Sequence, residues 1–343
     1  MKLHQALEAL LAGQTLPRAL MLDVMREIMG GEATPAQVAG FLIALRMKGE
    51  APEEIAAAAQ VMREKSRPLQ VEPALRERLV DTCGTGGDGA GLFNVSTASA
   101  LLLAALGVPV AKHGNRSVSS SSGSADVLAA AGIALDLEPE QSLAQLRAHN
   151  FTFLFAPQYH PAMKHAIGPR RELATRTVFN LLGPLTNPAG AQRQVLGLFS
   201  AQWLEPVPRV LAELGSVHVL TVHGEDGLDE ISLSAPTQIC ELREGERRSY
   251  RIEPGQFGLP LAEPAALKVE SPAQSLALIR AAFAGQAGPV ADAIALNAGA
   301  GLYVGGVADS LARGVDEART ALAEARAEGI IEDLSQQPGE SER

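Results

Sequence analysis

Apolar positions in the first part of the chain recur at helical spacing. Val38, Phe41, Leu42 and Leu45 share one face of a helix that opens at Thr34-Pro35-Ala36-Gln37, a capping box with proline at the first helical position. A second helix starts at Pro52-Glu53-Glu54 and runs through Ile55 and Val61-Met62, with its acids where the helix dipole favours them. Gly30-Gly31 and Gly49 separate the pieces. From residue 79 the pattern changes to short apolar runs alternating with helical stretches. Strands are predicted at 79–82, 108–111, 151–155, 195–199 and 217–222, and helices at 97–106, 124–131, 139–149 and 205–214. Residues 161–188 read as helical again, with turn signals at Gly183-Pro184 and Asn187-Pro188. From about residue 329 the chain turns polar and is expected to fray. No internal repeat is visible.

The pattern predicts an α/β protein: a small all-helical domain at 1–70, then a larger α/β domain with a mostly parallel central sheet at 71–165 and 191–343. So short a helical segment buries its apolar faces best against something else. A second chain, or the later helical stretch at about 166–190, is expected to complete it. At 343 residues two domains are reasonable, and 46% hydrophobic with 20% charged residues is the composition of a folded protein. Aromatic residues are only 4% and the net charge is −10, which argues against a base-stacking or duplex-binding protein. Cys83 and Cys240 cannot build a disulfide framework, so a cytoplasmic location is expected. The N-terminal stretch, carrying Glu8 and Arg18, does not read as a signal peptide, and the apolar run at 100–111 is too short to span a membrane.

Three segments at predicted strand ends carry candidate chemistry. Gly84-Thr85-Gly86-Gly87-Asp88 lies between a strand and a helix beginning near Ser96-Thr97. Glycines let backbone N–H groups approach phosphate oxygens, and the helix N-terminus adds its dipole; Asn94, Ser96 and Thr97 add side-chain donors. The spacing is neither G-x-G-x-x-G nor a P-loop, and a tight strand–helix connection is an equally valid reading. Lys112-His113-Gly114-Asn115-Arg116, with the serine-rich tail that follows, is either a phosphate contact or a solvated basic turn. Asp229-Glu230, after the strand at 217–222, is either a Mg²⁺ site or an acidic surface turn. Taken together the three favour a polyphosphate and metal site. No convincing Ser-His-Asp, Cys-His or zinc-ligand set is present.

In order and spacing these segments resemble the anthranilate phosphoribosyltransferases of tryptophan biosynthesis. The resemblance also rests on Gly123-Ser124-Ala125-Asp126, His160-Pro161-Ala162-Met163-Lys164 and Arg176-Thr177-Val178-Phe179-Asn180-Leu181-Leu182-Gly183-Pro184-Leu185-Thr186-Asn187-Pro188, and it extends to about Val307. It implies a fold of the nucleoside phosphorylase and phosphoribosyltransferase kind, a helical domain hinged to an α/β domain, and a homodimer formed through the helical part. It implies transfer of phosphoribose from phosphoribosyl pyrophosphate to the amine of anthranilate, with one or two Mg²⁺ ions and no side-chain nucleophile. Lys112 and the metal would act as electrostatic stabilisers.

Carried over position by position, the resemblance assigns the sugar pyrophosphate to Gly84, Gly87, Asp88, Leu92, Asn94, Val95, Ser96, Thr97, Lys112, His113, Gly114, Asn115, Arg116, Ser117, Val118, Ser119, Ser120 and Ser124. It assigns anthranilate to Gly84, Asn115 and Arg170, and metal to Ser96, Asp229 and Glu230. Leu92 stands where a hydroxyl residue is common, Gly168-Pro169 replaces Pro-Val, Ala174 a glycine and Ala129 a glutamate. Two other functions compete: a nucleoside phosphorylase-like enzyme, which would not need Asp229-Glu230, and a non-catalytic nucleic-acid-binding relative, which would want a basic groove. No nucleic-acid or membrane partner is expected.

Overall fold

The computed structural model describes residues 2–117 and 121–336. Four helices come first: α1 (Lys2–Leu11), α2 (Arg18–Gly30), α3 (Pro35–Lys48) and α4 (Pro52–Glu64). The capping box read from Thr34 and Gln37 is formed in both directions, at 3.3 and 2.9 Å. Glu54 does more than meet the helix dipole. It is fully buried, pairs with Lys48 at 2.6 Å and accepts from the backbone of Leu16 and Ala51. A buried carboxylate is tolerable only with such partners, so Glu54 ties three helical segments together.

After the one-turn helix α5 (Pro73–Arg76) comes β1 (Val80–Gly84), then α6 (Val95–Ala105), β2 (Val110–Gly114), α7 (Ser124–Ala130), α8 (Pro139–His149) and β3 (Phe151–Phe155). The chain turns helical through α9 (Ala156–Tyr159), α10 (Lys164–Leu173) and α11 (Val178–Leu182), and α10 packs on α2 and α3 while α11 packs on α4. It then returns to the sheet with β4 (Arg193–Gly197), α12 (Pro206–Glu213) and β5 (His218–Gly224). The hairpin β6 (Thr237–Arg243) and β7 (Glu246–Ile252) follows, and then α13 (Pro272–Phe283), α14 (Pro289–Val304), α15 (Leu311–Ala323) and α16 (Ile330–Ser335).

The sheet order is β3-β2-β1-β4-β5-β6-β7, parallel from β3 to β5 and antiparallel at β6 and β7. Alternation along the strands feeds two cores. Val80, Val195 and Leu220 face the layer containing α6, α14 and α15, whereas Cys83, Leu196 and Val219 face α12 and the N-terminal helices. Two expectations need correction. Residues 330–335 form α16, with Ile330, Ile331 and Leu334 buried, because three apolar residues on one helical face outweigh the polar composition around them. The second strand lies at Val110–Gly114, so Lys112 and His113 are inside the sheet rather than in a turn beyond it. Among the described residues no helix is long and apolar enough to cross a membrane.

Candidate active site

The strand order reverses at β1. The chain lays β2 and β3 to one side of it and β4 to the other, which opens a crevice at the carboxyl ends of β1 and β4. The glycine-rich loop leaves from this point. Thr85 roots it: its N–H donates to the Gly197 carbonyl and its hydroxyl accepts from the Phe199 N–H, both at 2.9 Å. The acidic segment after β5 folds back onto the same spot. A Cβ on Gly84 would lie 2.5 Å from Asp229 Oδ2, and one on Gly197 would lie 1.5 Å from the Asp229 carbonyl oxygen. Glycine at both strand ends is therefore what lets Asp229 settle over the crevice. There its Oδ2 accepts the Gly86 N–H at 2.6 Å. A loop N–H that takes a carboxylate oxygen is a donor aimed at an anion.

Charge accumulates around this contact. Lys112 is 2% exposed; its ammonium donates to the Thr82 carbonyl and, at 3.2 Å, to Ser96 Oγ. The Ser96 N–H donates to Glu230 Oε1 at 3.2 Å, at the start of α6. Burial, then the neighbouring Asp88, pushes Asp229 up to about 7; burial, then Asp229, pushes Glu230 up to about 8. Burial lowers Lys112, and the carboxylate of Asp81 opposes that shift. Asp229 and Glu230 each oppose the other's ionisation, and a cation beside them would relieve that repulsion. Among the described residues no three His, Cys, Asp or Glu side chains converge as a ready-made metal cage. Asp229 and Glu230 suit a hard ion that keeps most of its waters and takes one or two protein carboxylates.

Gly84, Gly87, Asp88, Ser96, Lys112, Asp229 and Glu230 thus share one crevice or its rim. The other predicted residues fall around it in distinct ways. Asn94 stands just before α6, its side chain turned away from the helix, donating to Ser122 O and accepting from Ser122 Oγ and Ser275 Oγ. Val95 is a core residue, and Leu92 pairs with Lys268 against the same core. Thr97 is buried with its hydroxyl unpartnered. Gly114 makes room for Ser124, whose hydroxyl donates to the Asn115 carbonyl at 3.2 Å. Arg116 is exposed and pairs with Asp126 at 3.1 Å, and Asp126 also accepts from the Ser117 N–H at 2.9 Å. Val118, Ser119 and Ser120 lie outside the described residues. A cavity of about 830 Å³ borders the second half of the loop at Gly89 and Gly91, with Ser121 and Lys268 on its wall, a volume suited to a small ligand.

His113 differs from the cationic contact expected of it. It is 7% exposed, its Nδ1 donates to the Gly183 carbonyl at 3.1 Å, and burial followed by the nearby His160 lowers its pKa to about 3. Its N–H is also engaged, donating to Asp81 at 3.2 Å. His160, which spacing did not single out, lies with its ring centroid 5.0 Å from that of His113, and burial lowers it to about 4. Both Nε2 atoms are buried and lack a partner. With Nδ1–H donating, a neutral His113 carries a lone pair on Nε2, so the ring offers an acceptor and no charge. Arg170, on α10, is half-buried, lies 5.2 Å from the Phe179 ring centroid, and its guanidinium makes no hydrogen bond or ion pair among the described residues.

A glycine-rich loop with an N–H turned to a carboxylate, a buried lysine and a carboxylate pair at the switch point of a mostly parallel sheet suit a group-transfer enzyme that stabilises a departing anion. Residues 76–328 match the glycosyl transferase family, a/b domain, and residues 4–66 its helical bundle domain. The anthranilate phosphoribosyltransferase of Thioalkalivibrio sulfidiphilus is 56% identical over 322 residues, 94% of each chain. The crystal structure of the Thermus thermophilus anthranilate phosphoribosyltransferase superposes with a TM-score of 0.90 at 47% identity, covering 96% of this chain and 98% of that one. The Saccharomyces cerevisiae enzyme in complex with PRPP and Mg does so at 0.87 and 25%, covering 97% of each. The chain belongs to the anthranilate phosphoribosyltransferase family.

Proposed function

We propose that this chain catalyses the family's reaction by holding the donor's pyrophosphate between the glycine-rich loop, Lys112 and the Asp229–Glu230 pair. It transfers phosphoribose from phosphoribosyl pyrophosphate to the amine of anthranilate, giving N-(5-phosphoribosyl)anthranilate and pyrophosphate. The observation that carries the reading is the Asp229 carboxylate seated on the Gly86 N–H beside Glu230 and near Lys112. The bond from C1 to the pyrophosphate oxygen breaks, a C1–N bond forms, and the amine gives up one proton to water. Negative charge builds on the leaving group, and preorganised N–H groups and the Lys112 ammonium stabilise it without reorganising. Mg²⁺ held by Asp229 and Glu230, with Ser96 alongside, would neutralise pyrophosphate charge; one or two ions are consistent with two carboxylates.

Arg170, whose guanidinium bonds no other described residue, offers its forked donor to the anthranilate carboxylate, with Gly84 and Asn115 completing that side of the site. His113 and His160 beside it are both buried and held neutral, so neither adds charge near the amine. The remaining residues assigned above support the sugar and its phosphates through backbone and hydroxyl groups. Residues 1–70 with about 166–190 form the smaller unit and carry the contact of a homodimer; the compartment is the cytoplasm.

The test mixes the protein with phosphoribosyl pyrophosphate, Mg²⁺ and anthranilate and follows loss of anthranilate fluorescence. Asp229→Asn combined with Glu230→Gln should lower turnover by roughly a hundredfold or more and abolish Mg²⁺ activation. Unchanged Mg²⁺ dependence in the double variant would refute the metal assignment. Absence of Mg²⁺-dependent turnover in the folded unmodified protein would refute the reaction.

A further inference from the structure

Arg176 lies in the turn between α10 and α11 and links parts of the molecule far apart in sequence. Its Nη2 donates to the carbonyl of Gly87 in the glycine-rich loop. Its guanidinium lies 4.4 Å from the ring centroid of Phe199, just beyond β4. Its own carbonyl accepts from Arg46 Nη1 of α3 at 2.6 Å, and the same Nη1 donates to Thr175 Oγ1. One chain of contacts therefore runs from the N-terminal helices, through this turn, to the loop and the end of β4. Arg176 is exposed and forms no ion pair among the described residues. Holding so long a side chain in one geometry at the surface opposes its rotamer entropy, so the forked donor and the ring stack are what keep it there.

The loop needs such a hold. Gly86, Gly87, Gly89 and Gly91 all have φ between +65° and +80°, a run of backbone with little intrinsic preference for one shape. Thr85 fixes only the root. Asp229 holds Gly86, but the proposed reaction assigns that carboxylate to a cation and that N–H to the donor's phosphates. Of the described side chains bonded to residues 84–87, Arg176 is the one that neither role claims, and it acts on a carbonyl rather than on an N–H group.

We propose that Arg176 is a positioning residue for the sugar-pyrophosphate subsite, latching Gly87 so that the loop's N–H groups stay aimed at the phosphates. The inference rests on reading residues 84–88 as the pyrophosphate cradle. A cavity of about 470 Å³, bordered by Arg46, Glu50, Arg176, Phe199 and Trp203, lies beside the latch. Replacement side chains therefore meet open space rather than packed core.

The experiment compares the full-length protein with Arg176→Gln and Arg176→Lys. Amide hydrogen exchange without ligands should rise about tenfold in peptides covering 84–91 of the glutamine variant, with peptides from α14 unchanged. With saturating Mg²⁺, KM for phosphoribosyl pyrophosphate should rise about tenfold, while KM for anthranilate stays within about twofold. The lysine variant keeps a donor but loses the fork and the stack, so it should fall between the two. Equal changes in both KM values, or wild-type exchange in the loop, overturns the latch. If the glutamine variant does not fold, the lysine variant alone decides by the same split. Should the unmodified protein itself fail to consume phosphoribosyl pyrophosphate, the cradle reading is what falls; should it turn over while both variants match it, only the latch falls.

Discussion

At the residue scale, burial converts ordinary side chains into special ones. Arg170 keeps a guanidinium half-buried over Phe179 with no anionic partner among the described residues. Arg170→Ala should raise KM for anthranilate by roughly ten- to a hundredfold, about 1.5–3 kcal/mol for a charge-assisted contact, with a smaller change for phosphoribosyl pyrophosphate. Steady-state kinetics with each substrate varied in turn would show this, and equal effects would make Arg170 a structural charge. His160 offers a pH test. Its folded pKa is depressed to about 4 by burial, so below about 6.5 the unfolded chain takes up a proton that the folded chain refuses. Stability is therefore lost as pH falls from about 6.5 toward 4, by about 2 kcal/mol between pH 7 and 5 from this group alone. Thermal unfolding of His160→Gln should show a shallower decline over that range than the unmodified protein. An identical slope would mean that the imidazole is not held neutral.

At the element scale, the site depends on strand ends that carry no side chain. β4 ends in Gly197 because the backbone of Asp229 crosses directly above it. Gly197→Ala would place a methyl 1.5 Å from the Asp229 carbonyl oxygen, too close for either backbone to remain where it is. The acidic segment must shift, so Mg²⁺ activation should weaken and unfolding stability fall by about 1–3 kcal/mol. Mg²⁺ titrations of activity and thermal melts would measure both, and an alanine variant with normal Mg²⁺ response would show that the segment adapts without harm. Gly84 and Gly197, together with the glycines of the loop, thus do for the site what no donor count in the sequence reveals.

At the scale of the whole molecule, the N-terminal helices share a core with α10, α11, α12 and one face of the sheet, so the reaction crevice and the helical part are built as neighbours. Leu11 on α1 and Met47 on α3 remain 75% and 83% exposed, on two helices that pack on each other. They are the exposed apolar side chains that the proposed dimer would have to cover if it forms through this part. Met47→Glu should weaken it, moving the elution volume of the protein toward that of a monomer at micromolar concentration. A monomeric unmodified protein would refute the dimer, and an unmoved dimer in the variant would place the contact elsewhere.

Local pattern determined much of this protein. The 3.6-residue periodicity, the Thr34 cap and the strand–helix alternation specify their elements because propensity and capping act within a few residues. Pro139–His149 and Phe151–Phe155 fall where the pattern puts them. The three charged or glycine-rich strand ends were visible as well, since a loop between strand and helix announces itself by composition. The hairpin of β6 and β7 and the helices from α13 onward were not read from the pattern; their burial depends on what the sheet edge and its outer face provide. Only the tertiary structure decided that Lys112 is buried and His113 neutral, that His160 joins it, and that Arg176 reaches Gly87. These outcomes depend on contacts between residues tens to more than a hundred positions apart. Desolvation and close approach are properties of a neighbourhood, and a neighbourhood assembled across the chain has no local signature.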